Sequence, residues 1–145
     1  MKDIVLYEID KRGLAEVKLN RPEKNNAYNS DMINELIDVF KKLDADQSVR
    51  VVTIGGNGKH FQAGADLEWL KSIGKLSSEK NYEISKNTAE AIRGLTLFPK
   101  PTISLIHGGC FGGGTGIAAA SDIVLASKNS IFSISETRWG VMAGI

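Results

Sequence analysis

The sequence contains one cysteine, Cys110, so no disulfide can form within it, and a reducing cytoplasm is the expected compartment. Net charge is almost absent. Eighteen Lys and Arg against 17 Asp and Glu leave +1, which gives no electrostatic reason to expect nucleic acid or an anionic membrane as a partner. Long apolar runs are missing as well. No stretch reaches the ~18 residues of a membrane helix. "MKDIVLYEID" lacks the cationic segment and apolar run of a secretory leader. The two histidines, His60 and His107, are accompanied by no Cys or His cluster, so no metal site is expected. Internal sequence repeats and low-complexity tracts are also absent. What remains is a composition 42% hydrophobic and 24% charged over 145 residues, which suits one globular domain or part of a larger one.

Periodicity then orders the chain. "IVLYEI" and "GLAEVKLN" read as a strand hairpin around "DKRG". "RPEKNNAYNS" is turn-rich, and Asn29 or Ser30 can cap a helix over 31–43, where Met32, Ile33, Leu36, Ile37, Phe40 and Leu43 recur at three and four. "VRVVTIGG" is a buried strand, "NGKHFQAGAD" a loop, "DLEWLKSI" a short helix and "KLSSEK" a flexible break. A longer helix over 78–98 ends at Pro99 and Pro101. "TISLIHG" is a strand, "GGTGIAAAS" a small-residue helix, and "DIVLAS" and "SIFSIS" are two further strands. Alternating strands and helices make the class α/β. The sequence stops in "SISETRWGVMAGI" without a closing helix, which suggests a truncated domain with exposed apolar patches.

"HGGCFGGGTG" holds six glycines in ten residues between a strand and a helix. Two readings stand side by side. Glycines let a helix pack closely on a sheet. They also bring backbone N–H groups up to a ligand at the positive end of a helix, where an anion or developing oxyanion is stabilised. No Walker A loop is present, and the spacing does not fit the dinucleotide fingerprint. A second small-residue loop, "FQAGAD", also leads from a strand into a helix. Together the two loops can offer one N–H each to a single oxygen, as enolate-forming and acyl-transfer sites require.

"NRPEKNNAYN", "GKHFQAGADL", "PKPTISLIHGGCFGGGTGIAAASDIVLAS" and "FSISETRWGV" follow one another as in the enoyl-CoA hydratase/isomerase, or crotonase, superfamily, which the chain resembles over essentially its whole length. The resemblance implies an α/β spiral of ββα turns and acyl-CoA thioester substrates. No separate cofactor is implied, since coenzyme A arrives with the substrate. It also implies trimers or hexamers, and a C-terminal helical part missing from residues 1–145.

The same resemblance implies roles for single residues. The backbone N–H groups of Ala65 and Gly113 match the oxyanion hole. Gly112 and Gly114 allow the turn around Gly113. Lys24, Ala27, Ala63, Gly64, Asp66 and Leu67 match the segments that lie along coenzyme A, although Asp66 reads more readily as the cap of the helix that follows. Glu136 matches one of the two hydratase glutamates, and Gly144 the glycine that helps hold water. The second glutamate falls on Gly116, which enlarges the pocket or leaves room for water. Without the resemblance, Glu136 reads as a surface residue between strand and loop. "GIAAAS" and "SIFSIS" are expected to line the acyl pocket. "FGGGTGIAAASD" and "SETRWG" look like the branched-chain hydratases that act on methylglutaconyl-CoA-like substrates in leucine and isoprenoid breakdown. Single-glutamate Δ3,Δ2-enoyl-CoA isomerases, or a non-catalytic thioester-binding protein, are the alternatives.

Overall fold

In the computed structural model, residues 3–140 and 142 are described. The apolar spacing read from the sequence does form a helix, Ser30–Ala45 (α1). Asn29 starts it from an extended conformation, its side-chain oxygen accepting the Met32 N–H at 3.1 Å. Met32, Ile33, Val39 and Leu43 are buried. Burial of each such side chain stabilises the fold by about 1.5–3 kcal/mol relative to exposure. This face belongs to one buried cluster with the alternating inward residues Ala15, Val17 and Leu19 of strand Leu14–Leu19 (β2) and Val52 and Ile54 of strand Val51–Gly56 (β3).

A strand Val5–Ile9 (β1) pairs antiparallel with β2. Beyond β2 and β3 the main sheet continues, all parallel, through Thr102–Ile106 (β4) to Ile123–Ala126 (β6). Between these last two come a three-residue strand, Gly109–Phe111 (β5), and a helix, Gly113–Ala120 (α4). β5 pairs in parallel with Ile131–Ser133 (β7), and single bridges join Gln62 to Cys110 and Tyr28 to Ala65. The long loop after β3 leads into helices Leu67–Ile73 (α2) and Ser78–Thr96 (α3).

One unit is thus repeated: a long strand, a short extended segment, then a helix. β2 leads through Tyr28 into α1, β3 through Gln62–Ala65 into α2, β4 through β5 into α4, and β6 through β7 into a 3₁₀ turn at Glu136–Trp139. The long strands stack as one sheet and the short segments as a second. This is the ββα spiral that the resemblance implies. The repeat is one of backbone topology, which is why the sequence does not reveal it.

Two segments differ from the sequence expectation. β5 lies inside the glycine run expected to be a loop. The "KLSSEK" break is short, because the Ser77 hydroxyl accepts the Lys80 N–H and starts α3 at Ser78. On the last two strands Ile123, Leu125, Ile131 and Phe132 are exposed, so this end of the sheets presents an apolar face.

Candidate active site

The site grows from the short segments, because each hands over to its helix at the same side of the molecule. The second junction is organised by two buried side chains. Asn26 is fully buried. Its amide nitrogen donates to the carbonyls of Asn57, His60 and Phe61, and its oxygen accepts the Arg21 N–H, so the "NRPEKNNA" turn grips the "FQAGAD" loop. Asp66 caps α2 by accepting the Glu68 and Trp69 N–H groups, and it binds the Arg21 guanidinium at 3.0 Å. Burial pushes the Asp66 carboxyl up, but the Arg21 hydrogen bond and the two helix N–H groups outweigh it and hold its pKa below the ordinary value.

Asp66 is therefore a structural cap, and its carboxylate is committed. Its depressed pKa adds stability that is present above the ordinary value of 3.8 and is lost as pH falls through the folded value. Arg21→Met strands a buried carboxylate, and a loss of about 3 kcal/mol is expected at pH 7. The loss should shrink between pH 7 and pH 3, as acid begins to neutralise the Asp66 carboxylate. Urea melts of both proteins at the two pH values check this, and an equal loss at both would rule out the ion pair as the cause.

Above this lock, Tyr28 N–H donates to the Gly64 carbonyl and Asp66 N–H to the Tyr28 carbonyl, both at 2.9 Å. These are the two bonds of a parallel bridge opposite Ala65, so the Ala65 N–H itself points the other way. At the third junction Gly112 turns the chain with φ +50°, which favours glycine. A Cβ on Gly112 would also stand 3.0 Å from Glu136 Oε1 and 3.4 Å from Gly64 Cα. Gly113 is the first residue of α4, where no turn of helix precedes to accept its N–H. Among the described residues, neither the Ala65 nor the Gly113 N–H has a hydrogen-bond acceptor.

Ala65 and Gly113 both line one cavity of about 300 Å³, and so does Glu136. The Glu136 Oε2 atom is buried without a hydrogen-bond partner among the described residues. A carboxylate oxygen in that condition needs a proton, water or ligand. The reading of Glu136 without the resemblance, as a surface residue between strand and loop, is thereby corrected: it opens the 3₁₀ turn, and its carboxylate sits beside Gly112. Tyr28 also lines this space. Burial, and then the Glu136 charge, raise the Tyr28 phenol above its ordinary value of 10.0.

Of the other expected residues, Ala63, Gly64, Leu67 and Gly112 line the cavity. Lys24, Ala27, Asp66 and Gly116 are not among its lining residues. The Lys24 ammonium reaches Glu68 at 2.8 Å on the exposed side, and the Ala27 carbonyl accepts from Arg21. Gly116 is buried within α4. Gly144 lies outside the described residues.

The expected pocket walls are also corrected. Ile117 and Ala118 turn into the core, while Ile131 and Phe132 face solvent. The apolar wall comes instead from Trp69, Leu70 and Ile73 of α2 and Ile84 of α3, with Thr88 beside them. The Trp69 ring meets Tyr28 edge-on at 5.6 Å, and its N–H donates to Ser30 Oγ at 3.0 Å. The signal for this wall was the i, i+3 spacing of Leu67, Leu70 and Ile73 on a helix that starts at the "AGAD" loop. Cys110 is in the core, where burial pushes its thiol up to about 11, so it is no nucleophile at neutral pH. Among the described residues, no group of metal-ligating side chains occurs and no helix is long and apolar enough to cross a membrane.

Known proteins share this fold and sequence pattern. The enoyl-CoA hydratase/isomerase family profile matches residues 10–145. The chain is 34% identical over 134 residues to hydroxycinnamoyl-CoA hydratase-lyase of Pseudomonas fluorescens, covering 91% of this chain and 49% of that one. It is 34% identical over 137 residues to the mitochondrial Delta(3,5)-Delta(2,4)-dienoyl-CoA isomerase of Mus musculus, covering 89% and 42%. A solved enoyl-CoA hydratase from Shewanella pealeana superposes with a TM-score of 0.93 at 33% identity, over 97% of this chain and 53% of that one. The chain spans about half the length of these relatives. With a spiral of strand–strand–helix turns, a cavity at their junctions and a profile match over nearly its full length, the chain belongs to the enoyl-CoA hydratase/isomerase family.

Proposed function

We propose that the protein adds water reversibly to an enoyl-CoA thioester through an enolate held by the Ala65 and Gly113 N–H groups. The observation that carries this is that two residues whose amides, and a glutamate whose carboxylate oxygen, have no partner among the described residues line one cavity. In this reading the thioester oxygen accepts from both amides, and the positive end of α4 adds to its stabilisation. The Glu136 carboxylate moves the proton at C2, and water adds at C3. The adenosine and pantetheine of coenzyme A run past Lys24, Ala27 and the Ala63–Leu67 segment. Lys24 can exchange its exposed Glu68 partner for a phosphate at small cost. No cofactor beyond the substrate's own coenzyme A is required. The acyl group lies against Trp69, Leu70 and Ile73, and a branched, methylglutaconyl-CoA-like chain is the preferred substrate. The working form is a homo-oligomer, a trimer or hexamer, in the cytoplasm.

A second reading rests on one observation. Glu136 is the one carboxylate among the described residues lining the cavity, and glycine stands at position 116. A single base suffices to carry a proton between two carbons, as in a Δ3,Δ2-enoyl-CoA isomerase. Assays of the full-length protein with crotonyl-CoA, 3-methylglutaconyl-CoA and a 3-enoyl-CoA separate the readings. Hydration of either of the first two supports the lyase, and the branched one is expected to be faster. Turnover of the third alone supports the isomerase. Tight binding of all three without turnover would leave only a thioester-binding role.

A further inference from the structure

We propose that Gln62 is a positioning residue that fixes the separation of the Ala65 and Gly113 amides. The proposal rests on the oxyanion reading above. Gln62 is fully buried, and its side-chain amide is spent entirely on one glycine. Its Nε2 donates to the Gly64 carbonyl at 3.0 Å, and its Oε1 accepts the Gly64 N–H at 2.8 Å. Gly64 has φ +86°, which is only one of the several conformations open to a free glycine. With Tyr28 N–H on the same carbonyl, both polar groups of Gly64 are fixed. The next N–H in the chain is that of Ala65.

The same residue also meets the other loop. The Gln62 N–H donates to the Gly109 carbonyl at 3.2 Å, and the Gln62 carbonyl accepts the Phe111 N–H at 2.9 Å, so its backbone brackets Cys110. Gly114 lies directly against it. A Cβ there would stand 2.9 Å from Gln62 Oε1, 3.0 Å from Gln62 Cβ and 3.0 Å from the Gln62 carbonyl. One buried side chain thus holds the residue before the first donor and abuts the residue after the second. This also accounts for the last glycine of the "GGG" run, which makes room for the glutamine. Gln62 does not line the cavity, so it acts through the two amides rather than on the substrate.

The test uses the full-length protein and butyryl-CoA labelled with ¹³C at the carbonyl, a thioester that binds without hydration. In the wild type, the infrared C=O stretch of the bound thioester is expected below that of the free one. Gln62→Met removes both bonds to Gly64 at nearly constant volume. It should bind butyryl-CoA within a few-fold of the wild type, lose part of the frequency shift and lower kcat ~10–100-fold, the scale of a sub-ångström to 1 Å misplacement. Gln62→Glu supplies a second readout. Ionised, it sets a carboxylate against the Gly64 carbonyl, and protonated, it regains one donor and one acceptor. Its kcat relative to wild type at the same pH should therefore rise as the solution is acidified. A folded Gln62→Met protein with the wild-type shift and kcat overturns this inference and leaves the oxyanion reading standing. If the Met variant does not fold, a Gln62→Glu to wild-type ratio that is flat with pH overturns it instead. Absence of any shift in the wild type overturns the oxyanion reading, and this inference with it.

Discussion

Glu136→Gln is expected to keep the fold and the binding of acyl-CoA while lowering turnover by at least the ~10²-fold that general acid–base catalysis supplies. The substitution changes one oxygen for nitrogen at a side chain whose Oε2 has no partner among the described residues, so little native bonding is lost. The amide cannot take a proton from C2. No neighbour replaces it. The Tyr28 phenol lines the same cavity, but burial raises its pKa and keeps the proton on the oxygen at neutral pH. The Asp66 carboxylate is held by Arg21 and the α2 N–H groups. Exchange of the C2 proton of a bound acyl-CoA with deuterated water should disappear together with turnover. If the Gln variant exchanges that proton at the wild-type rate, some other group is the base.

Gly113→Pro should be at least as damaging, by ~10²–10³-fold in kcat, the range found when one oxyanion donor is removed from another enzyme. Backbone donors cannot be deleted by ordinary substitution, but proline has no N–H. It is also best tolerated at the first position of a helix, where Gly113 stands. The ring carbon replacing the hydrogen would occupy the place where the thioester oxygen is expected. Circular dichroism and thermal melting report whether α4 survives. A folded Gly113→Pro protein with undiminished kcat would show that the thioester oxygen does not depend on this amide.

Much of this site could be read from local sequence, because its parts sit at helix starts. Asn29 and Asp66 announce the beginnings of α1 and α2 by their capping chemistry. The glycines around 112 mark a turn whose φ admits little else. β5 was hidden for the opposite reason. "GCF" has no strand pattern of its own, and its extended form comes from pairing with Gln62 on one side and β7 on the other, partners that are distant in sequence. The acyl wall was misplaced for a related reason. "GIAAAS" and "SIFSIS" are apolar enough to line a pocket. Whether an apolar side chain faces the pocket, core or solvent depends on how α4 and β7 are rotated against their neighbours. Arg21 and Gln62 had no sequence signal beyond their type, since their meaning lies in contacts 45 residues away and in a two-residue loop closure.

The stacking of the short segments divides labour between the turns. Ala65, Gly113 and Glu136 come from three successive winds of the chain, so their spacing is inherited from sheet pairing and not from the helices that follow. The helices can therefore lengthen, tilt or double without disturbing these three residues, and the second wind carries two of them, α2 and α3. If the proposed function holds, substrate choice and bond chemistry are written in separate parts of each wind. A change of acyl preference is then to be sought in Trp69, Leu70, Ile73 and Ile84, with the proton-transfer apparatus left as it stands.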